Sequence, residues 1–415
     1  MLQESYIDIP AKEARNAAVH IGSIHVVTPI LPLETLVRDG IKIHLFGKFE
    51  NVQSVYTFKA RGAEWFVYNL MKQYESHTGQ FRRDHTKPVL VTASAGNHAQ
   101  GVALAAKRYG LEAIIYMPKT TSSIKIERVE ELGGEVRLVD GVFEAALKKA
   151  FEFKGENRNR LFVSPYENPQ IMAGQATVGV EILSQFCPFH PNYLAVREYD
   201  WQAQDVIITG LGGGGLVSGI GSVVKEFNRK CRRKVMVIGV QAEAADSMYR
   251  SIKAGKYMPS SDMKSTTIAE GIAVKKASPR MIATVMNYVN QVVLVREEDI
   301  IKGIAYLFQH PDLDGKIWRT LEVYNPSIPF RRLPENLPER KPQVYAERPL
   351  NKIEGAAAAP YAAVLFGDKY GEIRWKEIAA GKKELNVVCV LTGSNITNEK
   401  HRELVGGINR PKNVI

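Results

Sequence analysis

Cysteine is scarce in this chain: Cys187, Cys231 and Cys389 are the three among 415 residues, far apart and odd in number. Their spacing excludes a disulfide framework or a zinc frame, and their apolar flanks read as buried thiols of a reducing compartment. No apolar run is long enough to span a bilayer. The N-terminus lacks a basic start followed by a long apolar core, so no secretory signal is evident. Basic tracts interleaved with aromatics are missing too. The formal charge of +11 is spread along the chain; nucleic acid is a weak reading of that excess, and attraction of small anionic molecules a better one. No internal repeat and no histidine cluster at metal-ligand spacing occurs. A cytoplasmic protein with no membrane, nucleic-acid or metal partner is expected.

What is present is an α/β pattern. Strand candidates are Ile41–Lys48, Val89–Thr92, Ala113–Met117, Val136–Val139, Val206–Thr209, Val235–Val240, Val292–Val295 and Val387–Leu391. Helical patterns separate most of them, which argues for largely parallel sheets. The length admits two or three lobes around a large core.

The most informative stretch is Gly210-Leu211-Gly212-Gly213-Gly214-Gly215, between the strand candidate ending at Thr209 and a helical pattern from Leu216 to Phe227. Four glycines let backbone N–H groups converge on an anion, and the helix adds its positive end. Phosphate is the expected ligand. Gly210, Gly212 and Gly215 also satisfy a dinucleotide pattern, which would want an acid at the end of the next strand. That strand candidate is followed by Gln241 instead, with Glu243 two residues later. A plain flexible loop is the bland alternative.

Two further constellations decide the chemistry. In Thr57-Phe58-Lys59-Ala60-Arg61-Gly62-Ala63, a lysine stands between apolar neighbours at a helix start. Burial disfavours an ammonium, so its pKa should fall, and a neutral amine can form a Schiff base and act as a base. Taken alone, an exposed helix-start lysine is the commoner case. The run Ser94-Ala95-Gly96-Asn97-His98-Ala99-Gln100-Gly101 follows a short strand and opens a helix. Hydroxyl, amide and free backbone N–H groups there make a carboxylate cradle, although Asn97 could equally be an ordinary N-cap.

With these motifs in order, the chain resembles the threonine/serine dehydratase branch of the fold type II pyridoxal-phosphate enzymes, from about Thr28-Pro29 to Asn395. Further landmarks are Glu50-Asn51, Ala173-Gly174-Gln175, Glu181-Ile182, Ala269-Glu270-Gly271-Ile272-Ala273, Glu354-Gly355-Ala356 and Thr392-Gly393-Ser394-Asn395. The resemblance implies pyridoxal 5'-phosphate held by Lys59 as a Schiff base, with Phe58 packed on the ring and Asn97 bonded to its 3′ oxygen. Gly212, Gly213, Gly214, Gly215 and the Leu216 N–H would hold the phosphate. Glu354 would line the cofactor site, and Thr392 would face the ring nitrogen, where the family has a serine. Ser94, Ala95, Gly96, Asn97 and His98 would take the substrate carboxylate. Lys59 would then remove the Cα proton, and β-elimination from a hydroxy-amino acid such as L-threonine or L-serine would yield a keto acid and ammonia.

Racemases of the family carry a serine where this chain has Ala95, and the equivalents of their divalent-ion ligands are Gln241, Ala245 and Ser247, with only Asp246 left as a carboxylate. A racemase or β-replacement enzyme, or a non-catalytic homologue, is the alternative. Tyr56, Ala176 and Ser394 stand where the family has glycines. The resemblance further implies a smaller lobe over 83–158, a larger cofactor lobe over 1–82 and 159–415, and a homo-oligomer, dimer or tetramer. The chain ends soon after Asn395, so no C-terminal regulatory domain is expected. The stretch from about His310 to Lys352 holds seven prolines. It reads as an insertion, either a surface excursion or a flap over the site.

Overall fold

The computed structural model describes residues 5–76, 86–185, 205–310, 313–324, 352–367 and 373–408. Its strands are β1 (Ile30–Arg38), β2 (Ile41–Lys48), β3 (Val89–Ala93), β4 (Glu112–Pro118), β5 (Glu135–Val139), β6 (Arg160–Phe162), β7 (Val206–Gly210), β8 (Met236–Ala242), β9 (Gln291–Val295) and β10 (Glu384–Val390). They form a six-stranded sheet in the order β1-β2-β10-β7-β8-β9 and a four-stranded sheet in the order β5-β4-β3-β6. Every pairing is parallel except β1 with β2. Parallel strands sit under helices on both faces, which is why β7 and β10 read as continuous Val/Ile runs. Val206, Ile207, Ile208, Val387, Val388 and Val390 are all fully buried.

Two strands have no clear signature in the sequence. β1 contains Pro32, which cannot donate to a ladder; the strand tolerates it by lying at the sheet edge, with a register shift between Pro32 and Glu34. Asp39 (φ 52°) and Gly40 (φ 79°) turn it into β2, the left-handed pair that a tight hairpin requires. β6 is three residues long, too short for any period. It pairs with β3, so the smaller sheet runs past the boundary expected at 158.

The helix Lys59–Glu75 joins the two sheets. It crosses the helix Pro169–Gln185 so closely that a Cβ on Gly174 would lie 2.5 Å from the Arg61 carbonyl oxygen. Two buried polar networks fix this helix. In the first, Arg61 grips Glu50 (Nε–Oε2 2.7 Å, Nη2–Oε1 2.8 Å) and Glu181 (Nη1–Oε1 2.6 Å, Nη2–Oε2 3.0 Å). Lys48 donates to Glu181 Oε2 at 2.6 Å and to the Thr28 carbonyl at 2.7 Å. Burial lowers the Lys48 pKa; Glu181 is driven up by burial, but the Arg61 and Lys48 charges win and hold it low. In the second, Glu64 accepts from Arg108 Nη1 and from the Tyr109 hydroxyl, each at 2.8 Å. His20 and His25 stand beside it at 3.4 Å. Burial beside Arg108 pushes His25 down to about 4.

Of the Pro-rich stretch, Leu313–Tyr324 is helical and residues 325–351 lie outside the described residues. Cys187 lies outside them as well. Cys389 is buried, but Cys231 is exposed, contrary to expectation, because it ends the helix Gly215–Cys231 at the surface. No helix among the described residues is long and apolar enough to cross a membrane.

Candidate active site

Lys59 is the first residue of its helix. The strand end of β10 pins the segment before it: Phe58 N donates to the Thr392 carbonyl at 3.3 Å, and Thr57 Oγ1 donates to the same oxygen at 3.2 Å. Ser394 N donates to the Tyr56 carbonyl at 3.1 Å. Val55 (φ 52°) and Tyr56 (φ 58°) are both left-handed. That explains why the family uses glycine at the Tyr56 position and shows that this chain accepts the strain. Ser394, another departure, uses its hydroxyl on the Asn51 carbonyl at 3.3 Å. Ala176 is buried against Gly219, where its methyl lies 3.1 Å from the Cβ position.

The Lys59 amine donates to the Pro165 carbonyl at 2.7 Å and lies 5.0 Å from the Phe58 ring centroid. Burial without a carboxylate partner lowers its pKa to about 8. The amine therefore gives up its proton far more readily near physiological pH than an ordinary lysine does.

The Asn loop meets this lysine from the other sheet. β3 ends at Ala93, and the helix Asn97–Arg108 starts after it. Its N-cap is Gly96, so Asn97 is not the capping residue; its side chain is free for tertiary work. Asn97 Nδ2 donates to Glu354 Oε1 at 2.8 Å, and Asn97 Oδ1 accepts from Asn395 Nδ2 at 2.7 Å. Asn395 N donates to Glu354 Oε2 at 3.1 Å. Burial raises the Glu354 pKa against the pull of these donors. Ser94 Oγ accepts from Gly96 N at 3.3 Å, and Ala95 stands half-buried beside them. His98 departs from the rest. Its ring turns inward, with Nε2 at 3.0 Å from the Val163 carbonyl, and burial near Lys59 lowers its pKa to about 3. The ring is a neutral donor to that carbonyl, so only the His98 main chain faces the loop.

The glycine run lies where β7 ends and the helix Gly215–Cys231 begins. Gly214 is the N-cap at φ 92°, which an L side chain rarely adopts. A Cβ on Gly213 would fall 2.3 Å from the Tyr166 ring, so no side chain fits without moving it. Gly212 lies against Gly271 and Ile272 of the Ala269–Ala273 motif, and Leu216 is buried behind the loop. Tyr166 follows Pro165 in the chain. One short segment therefore touches both the Lys59 amine and the glycine loop. Sequence reading passed over Pro165 and Tyr166, because their role is a carbonyl and a ring face with no spacing signature.

Among the described residues, no three of His, Cys, Asp and Glu converge as metal ligands. Both Asp246 oxygens are occupied by Ser261, from N and Oγ at 2.8 Å each. Ser247 donates to the Val274 carbonyl and Gln241 accepts from Tyr249 N.

Residues 23–313 match the family described as pyridoxal-phosphate dependent enzyme. The chain belongs to that family. It is 36% identical over 270 residues to an L-threonine ammonia-lyase of Thermotoga maritima (65% of this chain, 59% of the relative). It is 35% identical over 358 residues to an L-threonine ammonia-lyase of Geobacter sulfurreducens (86% and 69%). An L-threonine dehydratase of Pasteurella multocida is 32% identical over 295 residues, of which this chain spans 51% of the length. The chain thus spans between half and three fifths of the length of the Pasteurella and Thermotoga proteins. Among solved structures, the processed form of threonine deaminase isoform 2 from Solanum lycopersicum matches with a TM-score of 0.67 at 26% identity, covering 98% of this chain and 96% of that one.

The residues present fit the family's cofactor. A buried amine of lowered pKa suits a carbonyl carbon, and a side-chain-free loop at a helix N-terminus suits a phosphate.

Proposed function

We propose that this chain is a pyridoxal-phosphate dependent ammonia-lyase that eliminates the β-hydroxyl of a hydroxy-amino acid such as L-threonine or L-serine as water and, with water added back as the nitrogen leaves, releases a 2-keto acid and ammonia. The observation that carries the reading is the Lys59 amine, poised near neutrality beside Phe58 and reached by Pro165 from one side. When bound, the cofactor would supply an electron sink for the bonds at Cα.

The roles follow from position. Lys59 anchors the cofactor and, once freed, takes the Cα proton. Gly212, Gly213, Gly214 and Gly215 with the Leu216 N–H receive the phosphate. Phe58 would pack on the ring, Thr392 would face its nitrogen, and the Asn97–Glu354–Asn395 cluster would hold the edge that carries the 3′ oxygen. Asn97 Nδ2 has a second hydrogen beyond the one given to Glu354. Ser94, Ala95, Gly96, Asn97 and His98 receive the substrate carboxylate through the N–H groups that open the helix and through the Ser94 hydroxyl. Ala95 offers no acid or base opposite Lys59, which favours elimination over inversion at Cα.

The test is product analysis of purified protein with L-serine, L-threonine, their D-isomers and 3-hydroxyaspartate. Keto acid and ammonia in equal amounts from an L-hydroxy-amino acid are expected. D-amino acid as the main product would replace this reading with racemisation.

A further inference from the structure

Gln175 has no role in the site as described so far, yet it touches its two halves. It is buried in the helix Pro169–Gln185, 1% exposed. Its Cγ lies 3.1 Å from the Cβ position on Gly62, one turn after Lys59, and its Oε1 lies 2.8 Å from the Cβ position on Gly215, at the start of the glycine-loop helix. Its Nε2 donates to the Pro165 carbonyl at 3.3 Å, the same oxygen that receives the Lys59 amine at 2.7 Å. Oε1 is buried and meets no hydrogen-bond partner among the described residues. A buried carboxamide with an unsatisfied oxygen is costly as packing alone, which calls for another reason for it to be an amide.

We propose that Gln175 is a positioning residue for Lys59: its N–H holds the Pro165 carbonyl at the point where the lysine amine docks. A carbonyl oxygen has two lone pairs, enough to receive both donors. Without the Gln175 donor, the Pro165 peptide loses the side-chain anchor that aims it, and the amine loses a fixed acceptor in apolar surroundings. The dock matters whenever Lys59 is not bonded to another group, which in the proposed reaction is the interval in which it carries the proton. The inference rests on that reading only for its consequence in turnover; the dock itself is a property of the cofactor-free protein.

The experiment compares the parent with Gln175→Met, which keeps the volume and removes the N–H, and with Gln175→Glu, which keeps the shape and replaces the donor by an acceptor. The first readout is the pH dependence of Lys59 acylation in cofactor-stripped protein, followed peptide by peptide by mass spectrometry. The parent should label with a midpoint near pH 8. In Gln175→Met the midpoint should move down, because the charged amine loses its acceptor; in Gln175→Glu it should move up, because a carboxylate stands beside the amine. The second readout, with the cofactor restored, is kcat falling about tenfold in Gln175→Met while KM and cofactor retention hold. A midpoint and kcat unchanged in Gln175→Met would show that the side chain is only a spacer. An upward shift in that variant would show that the carboxamide competed for the carbonyl and did not aim it. Either result overturns the proposal. If the midpoints shift as stated but no amino acid is turned over by the parent, the positioning stands and the lyase reading falls.

Discussion

Replacing Arg61 by methionine tests the network under the lysine helix. The guanidinium makes two hydrogen bonds to each of Glu50 and Glu181, with Thr177 Oγ1 at 3.2 Å as a further acceptor. Glu50 is fully buried; among the described residues it also accepts from the Thr28 hydroxyl, and the Lys48 charge acts on it from nearby. Breaking one partner out of a buried ion pair costs about 3–5 kcal/mol. Arg61→Met should therefore lose about 4 kcal/mol at pH 7. The lost charge also predicts a signature. Burial drives Glu181 up, and the Arg61 charge is the largest influence pulling it below its ordinary range; a carboxyl held low gives stability that is lost as pH falls, so the gap between variant and parent should narrow toward acid pH. Adding Glu50→Gln should recover most of the loss at pH 7. Urea unfolding followed by tryptophan fluorescence reads this, since Trp65 and Trp375 are both buried. A loss under about 1 kcal/mol at pH 7, or a gap independent of pH, would refute the claim that Arg61 compensates buried charge.

Three other outcomes are expected. Gly213→Ala places a methyl in the Tyr166 ring; overpacking of about 1–3 kcal/mol should appear as a modest drop in Tm, while cofactor retained on dialysis drops far more, and Tyr166→Ala should restore part of it. Retention equal to the parent's would place the phosphate elsewhere. Val55→Gly should raise stability by roughly 1 kcal/mol, as relief of the left-handed strain exceeds the entropy cost of glycine; a lower Tm would contradict that strain. His98 has a folded pKa of about 3 against 6.5 for the free ring, so the unfolded chain binds the extra proton, and stability is lost as pH falls through that window. His98→Gln, which can still donate to the Val163 carbonyl, should flatten the acid side of a Tm–pH profile, and an unaltered profile would count against the buried neutral ring.

Much of the site's framework is legible in the sequence. The glycine run, the lysine among apolar neighbours and the Asn loop each carry a local mechanism; the first and last fall at strand-to-helix junctions, and the lysine opens a helix after two short turns. The inner strands β7, β8 and β10 of the large sheet were legible as apolar runs buried almost throughout. What escaped was non-local. Pro32 masked β1, since its tolerance depends on lying at an edge. Pro165 acts through a carbonyl, which every residue has, and Tyr166 through contact with a glycine distant in sequence. His98 resembles a loop ligand in one dimension; only the path of the helix turns it toward Val163. Asn395 was noted as part of a motif, but its bond to Asn97 spans 298 positions.

The position of β10 has a consequence for how the molecule is made. This strand lies in the middle of the large sheet, between β2 and β7, yet among the described residues it is the last strand in sequence. During synthesis β2 and β7 emerge early and wait, each with an unpaired row of backbone groups along an apolar face, until residues 384–390 arrive to close the gap. Open edges of that kind invite pairing with other nascent chains. The same late strand delivers Thr392 and Gly393, whose carbonyl and backbone bridge pin the segment before Lys59. A ribosome-bound chain stopped short of residue 384 should therefore be both adhesive and unable to retain cofactor. The large sheet and the anchor of the Lys59 segment are thus completed together, when β10 is inserted.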